Sequence, residues 1–298
     1  MKPLIICFVL LFGSVKAQYS IVVDTARTNH LRKMYSFEKK REFDRSKTIA
    51  LQYCRDSSGK IDDPFMHGLI VSCSNLGQID TSFLLMRQLI YCGGNGVTER
   101  MNMDFQLGPL LKYKDSIAVW QNIADSLYFS QCAINNPAFN LKLSKEILDI
   151  YIADAWPRVY EDFYYSDSTN HYNRDSASVA WGISDSINQV RTGQIFDEYG
   201  WPTAQMVGFD LSQAIWYPLQ HGSDAFQKKY KKLARRAYKR GDLLPNLHAM
   251  LVDRMEINHG KKQTYGTQYK KNSNGDWVQF PIRRKCFLKH RLRKMNMT

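Results

Sequence analysis

The sequence predicts a mainly α protein: a helical, repeat-like N-terminal unit, then an α+β unit of helices closed by a C-terminal β-hairpin. Three observations carry that prediction. Apolar residues recur at helical spacing through most of residues 47–258. Helix stop signals punctuate the second half at Gly200-Trp201-Pro202, Gly241 and His259-Gly260. Two alternating runs flank Asn272-Ser273-Asn274-Gly275 near the end, a hairpin pattern. A chain of 298 residues with 44% apolar residues exceeds the usual size of one domain and can bury two cores.

Taken in order, Lys2, the apolar run Leu4 to Phe12 and Val15-Lys16-Ala17 form a secretory leader with a small-x-small cleavage pattern. Residues 1–17 are therefore read as a signal peptide, cleavage after Ala17 leaves Gln18 as the mature start, and the expected location is secreted or periplasmic. The run is shorter than the ~20 residues that cross a bilayer. Cys7 lies inside it with almost no charge before it, which disfavours a lipid-modified cysteine. Export would expose Cys54, Cys73, Cys92, Cys132 and Cys286 to an oxidising compartment. Their odd number leaves at least one thiol unpaired in a monomer, and small buried apolar side chains are the simplest reading. No Cys-x-x-Cys or Cys/His spacing marks zinc, so no metal and no cofactor are expected.

Helices are predicted near Lys47–Arg55, Met66–Leu76, Thr81–Tyr91 and Ser116–Phe129, with Asp80 and Asp115 at N-cap positions and Gly93-Gly94-Asn95-Gly96 as a stop. Ile70 to Gln78 followed by Phe83 to Leu89 is similar to a degenerate tetratricopeptide helix pair. The segment from Asp104-Phe105 to Trp120 resembles the closing segment that often follows such repeats. One repeat cannot bury its faces alone, so the unit at 18–135 must pack on a neighbour. The second unit, 136–298, begins with a helix over about Leu141–Phe163 that Pro157 should kink or restart. A Ser- and Asn-rich loop from Ser166 to about Ser178 follows. Further helices are expected over Asp185–Tyr199, Gln205–Leu219, Ala225–Lys239, capped by Asp224, and Leu247–Asn258. The strands fall in Lys262–Tyr269 and Asp276–Phe280.

Gly200-Trp201-Pro202, Val207-Gly208, Gln220-His221, Asp253-Arg254 and Tyr265-Gly266-Thr267-Gln268 resemble, in order and spacing, the motifs of an uncharacterised bacterial family, a domain of unknown function. Asp154 and Arg158 fall where that family has an Asp-Gln-x-x-Arg segment, and Ala155 stands in place of the Gln. Gly222-Ser223-Asp224 departs from a tighter Ala-Asp after the His. The tail after Pro281 is basic where the family tends to be acidic. The resemblance brings no established activity.

The polar residues of these motifs are the candidate site. His221, just past a helix end, suits a general acid or base, with Asp253 in support; equally, its ring could cap the preceding carbonyls. Asp253 and Arg254 are adjacent on a helix and diverge by about 100°. Asp154 and Arg158 share a face as an ordinary i,i+4 pair. Trp201, Gln220, Arg254, Tyr265 and Gln268 could line a cleft for a peptide or glycan fragment, or form a buried network that docks the hairpin. Trp201 beside Pro202 reads more readily as a turn plug than as a sugar platform.

Charge is uneven. Residues 225–298 carry 20 Lys or Arg against 4 Asp or Glu, a net of +16 within a chain of +13. Such a field attracts polyanions or anionic surfaces, although a solvated basic helix face explains it as simply. No nucleic-acid module, Ser-His-Asp elbow, phosphate loop or His-Glu-x-x-His is visible. The expected partner is an anionic envelope polymer or another envelope protein, with no nucleic acid and no integral membrane segment. The leading reading is an exported binding or interaction protein with a polar cleft. The alternatives are a hydrolase of a cell-envelope polymer and a purely structural scaffold.

Overall fold

A computed structural model describes residues 25–56, 63–91, 109–110, 112–166, 174–273 and 276–297. The leader and the Gly93–Gly96 stop lie outside the described residues. The protein is mainly α, with one two-stranded antiparallel hairpin near its C-terminus. Helices α1 (Thr25–Lys39), α2 (Phe43–Asp56), α3 (Asp63–Asn75) and α4 (Ile79–Tyr91) pack successively, each on the next. Asp80 and Asp115 stand inside the first turns of α4 and α5 (Lys114–Asn135) rather than at N-caps. There the helix dipole favours their charge.

Buried apolar residues form two clusters. The first joins Met34, Phe65, Ile70, Met86 and Leu89 with Ile117 and Ala124 of α5. The second starts at Phe129 of the same helix and runs to Leu251. Helix α5 thus belongs to both, because its 22 residues are long enough to carry one apolar stripe into each.

The helices of the second half depart from expectation chiefly in two places. Helix α6 (Leu141–Ser166) runs through Pro157 as one element, and α7 (Arg174–Tyr199) starts eleven residues before the expected Asp185. The two pack together. Ser184 Oγ donates to Ala153 O at 2.6 Å and Asn188 Nδ2 to Ile150 O at 3.3 Å, a register that makes them antiparallel. Packing of α6 on α7 offsets the hydrogen bond lost at a proline. Residues 167–173 of the expected loop lie outside the description.

Second, the helix expected over 205–219 is three short ones: α8 (Ala204–Val207), α9 (Phe209–Ala214) and α10 (Trp216–His221). Gly208 at φ 86°, ψ 157° breaks the first junction. Pro218 provides no N–H for the Ala214 carbonyl four residues earlier, which loosens the second. Trp201 plugs this region, stacked on Phe196 with centroids 5.2 Å apart and donating its indole N–H to Ser212 O at 3.2 Å.

Helix α11 (Asp224–Arg240) is capped by Ser223, whose hydroxyl accepts from Phe226 N, while Asp224 sits in its first turn. It ends at Gly241 in the left-handed conformation. Gln227, Tyr230, Ala234 and Ala237 face the core, and its Lys and Arg face outward. Helix α12 (Pro245–Asn258) leads to strands β1 (Tyr269–Lys271) and β2 (Trp277–Gln279), paired with Lys270 opposite Val278. Strand β1 starts at the last residue of the expected strand Lys262–Tyr269, because the amides of Thr264, Tyr265 and Thr267 bond to Asp253 and not to a neighbouring strand. A 3-10 turn (Lys285–Phe287) and α13 (Leu288–Lys294) complete the chain. Among the described residues no helix is long and apolar enough to cross a membrane.

Candidate functional site

The motif residues separate into two groups. The first centres on Asp253, which is fully buried on α12. Its Oδ1 accepts from the backbone N–H of Thr264 and Tyr265, both at 2.8 Å, and its Oδ2 from the N–H and hydroxyl of Thr267, both at 2.9 Å. Gln263 extends the network: its amide donates to Gln268 O and Phe280 O and accepts from Gln268 N. Gln268 in turn donates to Met250 O at 3.4 Å. From the other side Arg291 of α13 donates to Thr264 O and to Arg283 O. These bonds dock the hairpin and the loop before it on α12. Tyr265 is half-buried there, its phenol pushed up chiefly by burial and then by Tyr238, Asp253 and Glu256. Arg254 is half-buried on the same helix.

The second group forms around His221, and its position follows from packing one turn earlier. Helix α10 lies against α6 and α7. Tyr217 of α10 meets Tyr151 of α6 with ring centroids 5.4 Å apart. One turn further along each helix come His221 and Asp154. The next residues are pinned to α7, where Gln189 Oε1 accepts from Ser223 N at 2.9 Å. His221 Nδ1 consequently stands 3.0 Å from both carboxylate oxygens of Asp154. Asp154 is 1% exposed and His221 22% exposed, so the carboxylate is enclosed while the imidazole has an edge to solvent.

Asp185 completes the set. Ligand-type atoms of Asp154, Asp185 and His221 all lie within 4.8 Å of one another. The α6–α7 bond from Ser184 to Ala153 fixes the helices at the residues immediately before Asp185 and Asp154. An imidazole held by a buried carboxylate beside a second carboxylate can carry a proton or take up a cation.

Sequence reasoning singled out His221 and saw Asp154 only as half of a helical ion pair. It missed Asp185, which has no motif around it and is brought in by the antiparallel packing of α7. Gln220 is 2% exposed, and neither atom of its side-chain amide has a partner among the described residues. Trp201 lies in the core rather than at this site. Among the described residues Cys73, Cys132 and Cys286 are free thiols, buried, half-buried and exposed respectively.

Fold and site thus define a helical protein whose C-terminal half carries an Asp–Asp–His cluster. Residues 173–294 match the family described as "Family of unknown function (DUF6624)". The matched span holds Asp185, His221 and the Asp253 network, and Asp154 precedes it. No curated protein and no solved structure matches the chain.

Proposed function

We propose that the C-terminal unit is a hydrolytic unit of an exported protein, acting on an anionic polymer of the cell envelope at the Asp154–Asp185–His221 cluster. The observation that carries this reading is the convergence of two carboxylates and a partly exposed imidazole from three helices. An attacking water would lose its proton to this set as the new bond forms, and the leaving oxygen would take it back; positioned acid–base groups of this kind contribute about 10²- to 10⁴-fold. The basic outer face of α11, with Lys231, Lys232, Arg235 and Arg236 exposed, favours an anionic substrate.

That face by itself also favours a second reading, a binding protein without turnover. One experiment separates them. Mature protein starting at Gln18 is incubated with polyglycerol phosphate and with an acidic glycan, and both binding and product release are followed. On the hydrolytic reading His221→Ala loses at least about a hundredfold in turnover while binding persists. The paired change Lys232→Glu with Arg236→Glu should weaken binding and flatten its salt dependence. Binding with no product from the parent leaves only the binding reading, and equal binding to neutral and anionic polymer removes both.

A further inference from the structure

We propose that Asp154, Asp185 and His221 form a binding site for one first-row divalent cation, of the Zn²⁺ or Mn²⁺ class. The inference rests on the hydrolytic reading only for the location of the site. Three donors come from three helices, α6, α7 and α10, which are locked to one another within a residue or two of each donor by the Ser184–Ala153 and Ser223–Gln189 bonds. One imidazole nitrogen with two carboxylates is a three-ligand set of the kind catalytic sites use, with a position left for water or substrate.

The spacing agrees. With metal–ligand bonds of about 2.0–2.2 Å, neighbouring ligand atoms stand roughly 3.0–3.4 Å apart. His221 Nδ1 is 3.0 Å from each oxygen of Asp154. Asp185 is half-buried, and its ligand atom lies within 4.8 Å of the other two, so an ion held by all three requires Asp185 to draw in on binding.

A second observation lies one turn away. Asn188, three residues beyond Asp185, is 1% exposed and donates to Ile150 O, four residues before Asp154. Its Oδ1 is buried with no partner among the described residues. Its Nδ2 also donates to Ser184 Oγ, next to Asp185, at 3.4 Å, and a buried acceptor left over one turn from two of the ligands is a group that a metal-bound water could satisfy. The imidazole favours borderline ions over Mg²⁺ or Ca²⁺, which prefer all-oxygen sets. Bound there, such an ion would take over from the imidazole the task of activating the water, because an ion-bound water ionises near neutral pH.

The protein carries its own control. His259 Nε2 lies 3.1 Å from Asp224 Oδ1 at the surface, a His–Asp pair that belongs to no three-donor group among the described residues. Mature protein stripped with chelator is titrated calorimetrically with ZnCl₂, MnCl₂ and MgCl₂, and the reloaded protein is analysed for metal content. The parent should bind one Zn²⁺ or Mn²⁺ per chain and Mg²⁺ more weakly. His221→Ala and Asp185→Asn should each weaken binding by more than the 10- to 100-fold typical of losing even an outer-shell partner, and His259→Ala should not. X-ray absorption at the metal edge of the parent, which requires no variant to fold, should show nitrogen and oxygen ligands including imidazole. A parent that binds no ion, or an Asp185→Asn variant that binds like the parent, overturns the proposal. Stripped protein that keeps full turnover and takes up no ion on reloading overturns it and leaves the hydrolytic reading intact. One bound ion without turnover on any polymer does the reverse.

Discussion

Replacing Asp253 by Ala tests whether this motif residue is structural. Its carboxylate is fully buried and accepts four hydrogen bonds, three from backbone N–H groups of Thr264, Tyr265 and Thr267 and one from the Thr267 hydroxyl. None of the three amides has another acceptor within this loop unless the loop moves. At about 1 kcal/mol per stranded donor, the lower end of the range because a half-buried loop admits water, the change costs about 4 kcal/mol. At about 2–4 °C per kcal/mol, the melting temperature should fall by about 8–16 °C. Asp253→Asn should lie between, since an amide keeps one oxygen for Thr264 and Tyr265 and strands chiefly the Thr267 N–H. Thermal unfolding followed by far-ultraviolet circular dichroism gives the order parent, Asn, Ala. An Ala variant that melts within about 2 °C of the parent would refute the structural role and return Asp253 to the list of reactive groups.

Two further outcomes follow from burial and backbone geometry. His248 is buried and stacked on Tyr238; burial and then Arg235 push its pKa down from 6.5 to about 4. The folded imidazole therefore stays neutral where the unfolded one protonates, so stability is complete above about pH 6.5 and is lost as pH falls toward 4; denaturant midpoints at pH 7, 5.5 and 4.5 should show this slope, and His248→Gln should flatten it. Gly208→Ala combines a backbone conformation open essentially to glycine with a new Cβ set against Tyr128 and 2.8 Å from Cys132 Sγ. It should cost at least about 1–3 kcal/mol, whereas Gly182→Ala, where nothing lies within 4 Å, should melt no lower than the parent.

Regular elements were legible where apolar periodicity and stop signals coincide. The ends at Gly200, Gly241 and His259-Gly260 fall where the sequence places them, because a glycine in the left-handed conformation ends a helix locally. Features set by packing were not legible. The early start of α7 depends on α6 beside it, and the split of 204–221 depends on Gly208 and Pro218 interrupting an otherwise unbroken apolar pattern. The site divides in the same way. His221 could be found from its place near a helix end, although it is the last residue of α10 rather than past it, and the hairpin network was anticipated as one reading of Tyr265 and Gln268. Asp185 has no such signal, because its value comes from a neighbour 36 positions later brought close by tertiary packing. Gln263 was likewise passed over, since an amide that bonds only backbone groups has no signature in sequence.

The two buried aspartates show why chemistry is better sought at one than at the other. Asp253 and Asp154 are 0% and 1% exposed, so burial does not separate them. Their partners do. The groups on Asp253 are three backbone amides and a hydroxyl of a loop clamped from the far side by Arg291, and no incoming molecule can take their place without undoing the hairpin. Asp154 faces the imidazole of His221, a side chain with an edge open to solvent. The second carboxylate, Asp185, stands at that same position and not at Asp253. A carboxylate saturated by backbone donors stabilises a structure, whereas one shared with a titratable, accessible ring can change partners, and a reaction or an ion needs that change.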